Sequence, residues 1–115
     1  MDQPTNPLPN ASGARLDRRK LVEYLLSPTH PIGKSKSRFF LGHGFSEENV
    51  ADLEQRLLAI ARNGRVSSGV STPHGIKYVV DGTVATPAGP SVMLRTVWII
   101  ETGDVYPRFI TAYPV

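Results

Sequence analysis

The sequence predicts an α+β domain in which two to three N-terminal helices pack on a four-stranded antiparallel β-meander. Apolar residues recur at helical spacing up to Gly64, and from Arg65 onward alternating or β-branched runs are separated by turn residues. The length of 115 residues suits a single domain with its own hydrophobic core. Residues 1–14 are rich in Pro, Asn, Ser and Gly, so we expect a flexible lead there and one domain over residues 15–115.

The first helix is expected to start after Asp17, because an aspartate side chain can accept hydrogen bonds from the first free backbone N–H groups. Its apolar face runs through residues 21–26, and the Ser27-Pro28 dipeptide ends it. We therefore expect this helix to pack its leucines on the core.

A second helix is predicted over residues 33–42, after a proline-rich corner. At about 100° per residue, Lys34 and Arg38 share one face, and the Phe39-Phe40 pair turns toward the core. Lys36 falls nearer the aromatic side, so this helix divides its cations between two faces.

The third helix has the clearest signals. Ser46 suits the N-cap, and Phe45 with Val50 forms a hydrophobic staple. Apolar residues then follow at helical spacing at Leu53, Leu57 and Ile60. The Asn63-Gly64 pair is expected to end the helix in the left-handed conformation.

The second half of the chain has the pattern of strands. The predicted strands cover residues 65–71, 76–80, 91–100 and 108–115, with turns at 87–90 and 102–104. In the last strand, alternation places Phe109, Thr111 and Tyr113 on one face and the intervening residues on the other.

Composition excludes several classes of protein. The absence of cysteine rules out disulfides, thiolate metal sites and cysteine nucleophiles. No apolar run approaches the ~20 residues that cross a bilayer, so we expect a soluble, cytoplasmic protein with no membrane partner. The histidines His30, His43 and His74 lie in separate loops without metal-ligand spacing, so we expect no metal or other cofactor.

The charges are distributed unevenly along the chain. Residues 1–40 carry seven cations against three acids, whereas the remainder carries six cations against seven acids. Lysine and arginine gain free energy by displacing counterions from a phosphate backbone, so the first third is suited to a polyanion. A basic face that is merely solvated explains the same numbers, and both interpretations stay open.

Metal-independent RNA cleavage needs a base for the 2′-hydroxyl, an acid for the leaving 5′-oxygen and fixed cations for the phosphorane. The residue types for this chemistry occur at His30, Lys34, Lys36, Arg38, Arg95, Thr96, Trp98, Arg108, Thr111 and Tyr113. Structural roles compete with this interpretation: His30 could brace a turn, Trp98 suits a core, and Thr111 and Tyr113 suit a strand. Arg95 is the more informative, because a charge inside a central strand needs an anionic partner, solvent or a ligand.

Two sequence segments, LRTVWII and PRFITAYPV, resemble the superfamily of small bacterial nucleases that includes barnase, EndoU, the tRNA-cutting colicins and RelE. More narrowly, LPNA, the run KLVEYLLSPTHPIGKSKSRFF, the following LGHGF and the terminal TAYP look like an uncharacterised bacterial domain family. The resemblance covers Leu8 to Pro114, and the HPxGxxKxxFF run is its more specific part. It implies a barnase- or RelE-like fold.

The resemblance also implies a toxin-like endoribonuclease that cleaves RNA by 2′-hydroxyl attack and is neutralised by a cognate antitoxin or immunity protein. On this basis His30 is the expected general base or acid. The expected catalytic set is His30, Arg95, Thr111 and Tyr113, and the expected RNA contacts are Lys34, Lys36, Arg38, Trp98 and Arg108. We expect His30 and the TAYP strand to form two walls of one cleft.

Two other hypotheses remain open at this point. The domain could bind RNA or a protein on the same scaffold without cleaving anything, or it could be a structural adaptor of a larger protein. The sequence does not determine the oligomeric state or the RNA that would be cut.

Overall fold

The computed structural model describes residues 7–30 and 34–115, and in this part of the chain three helices precede a four-stranded sheet. Helix α1 spans residues 18–25, in which an α-helical turn, Arg18–Lys20, continues as a π-helical turn, Leu21–Leu25. The other helices are α2, Lys34–Gly42, and α3, Val50–Asn63. The strands are β1, Arg65–Thr72; β2, Gly75–Ala85; β3, Ser91–Glu101; and β4, Arg108–Pro114. The predicted α+β class and the strand meander are confirmed.

Helix α1 begins as predicted, because the Asp17 side chain accepts a hydrogen bond from the Arg19 N–H at 3.0 Å. Its second half is widened, since the Leu26 N–H donates to the Leu21 carbonyl, five residues earlier, at 2.7 Å. Such π-turns are rare and are often found at functional sites. Leu21 and Leu25 are fully buried and fix the helix on the core.

Helices α2 and α3 complete the helical layer. Phe40 is buried and Phe39 is half-buried, as the predicted aromatic face requires. Ser46 and Asn49 form a capping box, in which the Ser46 N–H donates to the Asn49 side chain at 2.8 Å. A short 3₁₀ turn, Glu47–Asn49, therefore precedes α3.

The end of α3 differs from the prediction. Gly64 has φ −79°, which is not the left-handed conformation expected for it. A Cβ at this position would lie 2.6 Å from the Ile60 carbonyl oxygen and 2.7 Å from that of Asp81. Glycine is needed here because α3 and β2 approach closely, not because the backbone takes a positive φ.

The sheet has the order β1-β2-β3-β4 with antiparallel neighbours, and one face packs against the helices. Val80, Leu94 and Ala112 belong to this buried face. Thr96 is buried between them, and its hydroxyl donates to the Val80 carbonyl at 2.8 Å and accepts from the Trp98 indole at 2.8 Å. The polar groups of the sheet core are thus paired internally.

A β-bulge interrupts the edge strand β4. Val97 pairs with Thr111 but the next residue, Trp98, pairs with Phe109, so Ile110 is an extra residue. Phe109 and Ala112 are consequently both buried although they are three positions apart. The simple alternation expected for this strand therefore fails at Thr111, where the bulge changes the direction of the side chain.

The segment before α1 packs on the domain from Leu8 onward, and residues 1–6 lie outside the described part of the chain. Leu8 is only 3% exposed and belongs to the core. The Asn10 side chain donates to the Val105 carbonyl at 2.7 Å, and Arg15 exchanges backbone hydrogen bonds of 2.9 Å with Pro107 and Phe109. The expected lead over residues 1–14 thus includes packed residues, which a single leucine among polar neighbours does not reveal by periodicity.

Candidate active site

A groove of about 1050 Å³ separates α1 from β4 and the loop that precedes β4. We call it the α1–β4 groove. It is lined by Lys20 and Tyr24 of α1, by His30 after that helix, and by Arg108 and Thr111 of β4, together with charged residues near Arg15. The groove is of a size suited to a small ligand or to a few nucleotides of a longer one.

Tyr24 lies between the two walls of this groove. Its hydroxyl is 3.3 Å from the Thr111 hydroxyl, which joins α1 to the bulged part of β4. The His30 ring packs against Tyr24 edge to face, with 5.0 Å between ring centroids. Tyr24, His30 and Thr111 are all half-buried, so each is ordered by packing and still accessible from the groove.

Two lysines flank the Tyr24 ring. The Lys20 Nζ is 5.9 Å and the Lys36 Nζ is 5.7 Å from the ring centroid. In the described residues the ion pairs are all made by arginines, and no carboxylate lies within 4.0 Å of either ammonium group. Both lysine charges therefore remain available to an anion in the groove.

The environment of Tyr24 favours its ionised form. Partial burial by itself raises the pKa of the phenol, but a hydrogen bond with Thr111, a hydrogen bond and the charge from Lys36, and the charge of Lys20 outweigh it. The pKa of Tyr24 consequently lies below its ordinary value of 10.0. This site stabilises a negative charge at the phenol oxygen.

The other end of the groove is neutralised internally. Arg15 binds Asp104 at 2.5 Å, and Arg108 binds Glu101 at 3.0 Å. An anion would have to compete with these carboxylates for the guanidinium groups. The capacity to bind an anion is therefore concentrated at the Tyr24 end.

The structure brings some of the predicted site residues together. His30 and Thr111 lie on either side of Tyr24, and Lys36 reaches the same tyrosine from α2. Arg108 lines the groove at its neutralised end. The expected wall formed by the TAYP strand is thus represented by Thr111.

Arg95 and Tyr113 lie elsewhere. Arg95 lies in β3 on the face opposite the buried Thr96, and its guanidinium makes two hydrogen bonds, of 2.9 and 3.0 Å, to Asp81 on β2. Tyr113 is its cross-strand neighbour on β4. Neither lines the groove that contains His30, so the expected cleft of His30 with Arg95 and Tyr113 is not formed. Alternation along β3 and β4 places these side chains opposite the buried Thr96 and Ala112; Thr111 follows the same alternation but reaches Tyr24 at the edge of the sheet.

The remaining predicted RNA contacts also separate. Trp98 is fully buried, donates to Thr96 and packs on Phe109, so it belongs to the core and offers no surface for stacking. Arg38 is exposed on α2. The side chain of Lys34 lies outside the described part of the chain.

Sequence reasoning missed Tyr24 and Lys20. Their spacing is a usable signal, because residues four apart on a helix are neighbours, and a lysine next to a tyrosine favours the phenolate. The contact between Tyr24 and Thr111 joins residues 87 positions apart. No local pattern indicates such a contact.

Comparison with known proteins shows the family of this chain and a solved structure with a similar fold. A domain of unknown function, DUF6883, matches residues 7–115. The chain belongs to the DUF6883 family. Its structure is similar to a chain in the contact-dependent growth inhibition toxin–immunity protein complex from Klebsiella pneumoniae 342, with 17% identity and a TM-score of 0.66. The match covers 87% of this DUF6883 chain and 98% of that chain, which shows a shared fold. No match was found among curated proteins.

The capacity of this DUF6883 chain to hold a metal ion or to span a membrane can be described for residues 7–30 and 34–115. Within those ranges no group of three or more histidine, aspartate or glutamate side chains is arranged to hold a metal ion. No helix in the same ranges is long and apolar enough to cross a membrane.

Proposed function

We propose that this DUF6883 domain is a toxin that cleaves RNA without a metal ion, by attack of the 2′-hydroxyl on the adjacent phosphodiester. The observation that carries the proposal is the α1–β4 groove, which His30, Lys20 and Tyr24 line, with Lys36 contacting the Tyr24 ring from α2; neither lysine has a carboxylate partner in the described residues. A side chain that transfers protons near neutral pH and fixed cations beside it are the groups this reaction requires.

The roles follow from the positions in the groove. His30 exchanges a proton with one of the reacting oxygens. Lys20 and Lys36 attract the phosphate and stabilise the extra negative charge of the phosphorane. The Thr111 hydroxyl is placed by the β4 bulge to hydrogen-bond at the same point.

The proposal includes a cognate antitoxin or immunity protein that blocks the groove. The similar fold from Klebsiella pneumoniae occurs in a complex of a toxin with its immunity protein, and this motivates the partner. Because such a complex contains two kinds of chain, fold similarity alone does not choose between them. The combination of His30 and Lys20 in one groove, with Lys36 at the Tyr24 ring, favours the toxin role.

The test is expression in bacteria combined with RNA cleavage by the purified chain in EDTA. The wild-type chain should arrest growth and convert tRNA or total RNA to fragments that end in a 2′,3′-cyclic phosphate and a 5′-hydroxyl. His30→Ala should lower the cleavage rate by about 10²- to 10⁴-fold, the usual effect of losing a proton-transfer group. His74→Ala is the matched control, because His74 is exposed in the turn between β1 and β2.

A harmless wild-type chain that leaves RNA intact would refute the proposed activity. Binding of RNA that weakens steeply with salt, without cleavage, would instead indicate a non-catalytic RNA-binding module. Absence of RNA binding at low salt, together with protection against a co-expressed toxin, would indicate the immunity role.

A further inference from the structure

The proposed reaction needs two proton-transfer groups, one for the attacking 2′-oxygen and one for the leaving 5′-oxygen. The sequence suggests only His30 for these tasks. In the structure a second ionisable side chain, Tyr24, faces the same groove with its ring 5.0 Å from the His30 ring. We propose that Tyr24 is the general base and His30 the general acid, an inference that rests on the proposed ribonuclease activity.

The assignment of Tyr24 as the base follows from the charges around its hydroxyl. The Nζ atoms of Lys20 and Lys36 are 5.9 and 5.7 Å from the centroid of the Tyr24 ring. Two cations therefore stabilise the anionic form of this side chain. Burial opposes ionisation, yet the pKa of Tyr24 is lowered because the contacts of Thr111 and the lysines outweigh the burial. These surroundings therefore stabilise the phenolate, which is the form of Tyr24 that can accept a proton.

Thr111 acts as a positioning residue for this base. Its hydroxyl is 3.3 Å from that of Tyr24. While the phenol is neutral, either hydroxyl can donate this hydrogen bond, but a phenolate can only accept it, and Thr111 must then donate. The bond thus holds the phenolate oxygen at the mouth of the β4 bulge.

The chemical step balances with these two groups. The Tyr24 phenolate takes the proton of the 2′-hydroxyl, the 2′-oxygen forms a bond to phosphorus, and the bond from phosphorus to the 5′-oxygen breaks. His30, entering as the imidazolium, gives its proton to the 5′-oxygen. The products are a 2′,3′-cyclic phosphate and a 5′-hydroxyl, and the two side chains return to their starting forms by proton exchange with water.

The experiment compares pH profiles of kcat/KM for the wild-type chain, Tyr24→Phe and Tyr78→Phe. The wild-type profile should contain a limb that is set by the ionisation of Tyr24, with its midpoint below the ordinary phenol pKa of 10.0. Tyr24→Phe should lose this limb and about 10²- to 10⁴-fold of the rate while it still binds a 2′-deoxy oligonucleotide, which cannot be cleaved. Tyr78→Phe is the matched control, because Tyr78 lies on β2 and does not line the α1–β4 groove, and it should keep both the limb and the rate.

Two further variants separate chemistry from packing. Incorporation of 3-fluorotyrosine at position 24 preserves the ring and lowers the phenol pKa, so the limb should move to lower pH. Thr111→Val removes a hydrogen bond to the phenolate, so the limb should move to higher pH. An ultraviolet titration of tyrosinate, with Tyr24→Phe as the reference, measures the same ionisation without any activity assay.

The outcomes distinguish the two proposals. A wild-type chain that cleaves RNA, with a Tyr24→Phe variant of equal rate and pH profile, would overturn the role of Tyr24 and leave the ribonuclease intact. A pH limb that does not move with 3-fluorotyrosine would do the same even if Tyr24→Phe folded poorly. A wild-type chain that cuts no RNA would overturn both.

Discussion

At the level of single residues, Asp104 holds the loop that leads into β4. Its carboxylate accepts hydrogen bonds from the N–H groups of Val105, at 2.7 Å, and Tyr106, at 3.4 Å, and it binds Arg15. These contacts, the backbone bonds first, lower the pKa of Asp104 below its ordinary value of 3.8. Asp104 thereby connects the start of the domain to the end of the groove.

A pH dependence follows from this lowered pKa. Since the folded pKa is the lower one, the stability from the charged carboxylate is fully present above about the ordinary 3.8 and is lost as pH falls through the folded pKa. Asp104→Asn should therefore reduce the free energy of unfolding near neutral pH, and the difference from the wild-type chain should shrink in acid. Urea denaturation over a pH series measures this difference in the free energy of unfolding, with Asp52→Asn on the exposed face of α3 as the control. A difference that is constant with pH would contradict the role given to this charge.

The cationic side chains of the first third of the chain do not form one basic face. Arg15, Arg18 and Arg19 each pair with a carboxylate. Lys20 and Lys36 instead converge on Tyr24. Among the described cations of this segment, Lys20 and Lys36 are thus the two that meet at one tyrosine, which is a more specific arrangement than a solvated face.

At the level of elements, the contact between α3 and β2 depends on glycines. Gly64 stands where a Cβ would meet two backbone carbonyls, and a Cβ at Gly82 would lie 2.9 Å from the Ile60 side chain. Helix and strand can approach this closely only without those side chains. The helical layer, which carries Tyr24, is held on the sheet partly by this approach.

Gly64→Ala should therefore destabilise the fold by about 1–3 kcal/mol, the usual cost of forcing extra atoms into a packed contact. The two carbonyl groups that the added Cβ would contact belong to α3 and β2, so the clash can be removed only if one element shifts against the other. Gly42→Ala, at the end of α2, is the matched control because a Cβ there meets no atom within 4 Å, and we expect a change within about 0.5 kcal/mol. Chemical denaturation measures both. Equal stability of the two variants would refute the close approach.

The bulge in β4 is the second element that shapes the site. Without the bulge at Ile110, Thr111 and Phe109 would share a face, because they are two positions apart. With it, Phe109 stays in the core while Thr111 meets Tyr24. Bulges are often found beside active sites because they redirect a side chain in this way.

At the level of the whole molecule, the two ends of the described chain are packed together. The hydrogen bond from Asn10 to Val105 joins residues 95 positions apart, and Leu8 fills the core beside it. The backbone of Arg15 pairs with β4 next to Arg108, so the early segment covers part of the exposed edge of the sheet. The segment before α1 therefore belongs to the cooperative unit.

Leu8→Ala should lower the free energy of unfolding by about 2 kcal/mol or more, as expected for a buried leucine. Leu41→Ala is the matched control, since Leu41 is 38% exposed on α2, and we expect it to change stability by about 0.5 kcal/mol or less. The midpoint of urea denaturation reports both changes. If Leu8→Ala were as stable as Leu41→Ala, the segment before α1 would be a flexible lead, as the sequence predicts.

The sequence by itself determined the class of fold and where α1 and the 3₁₀ turn before α3 begin. Asp17 and Ser46 cap helices as expected, and the strands lie within a few residues of their predicted bounds. Hydrogen-bonding caps and the periods of apolar residues act over a few positions, so they can be read locally.

Only the tertiary structure decided which side chains share a groove. Tyr24 meets Thr111 across most of the chain, and one extra residue in β4 makes that contact possible. Arg95 and Tyr113 do not line that groove, although they are the same kinds of residue that a nuclease site needs. A periodic pattern determines the face on which a side chain lies within its element, but the packing of helices on the sheet determines which faces meet.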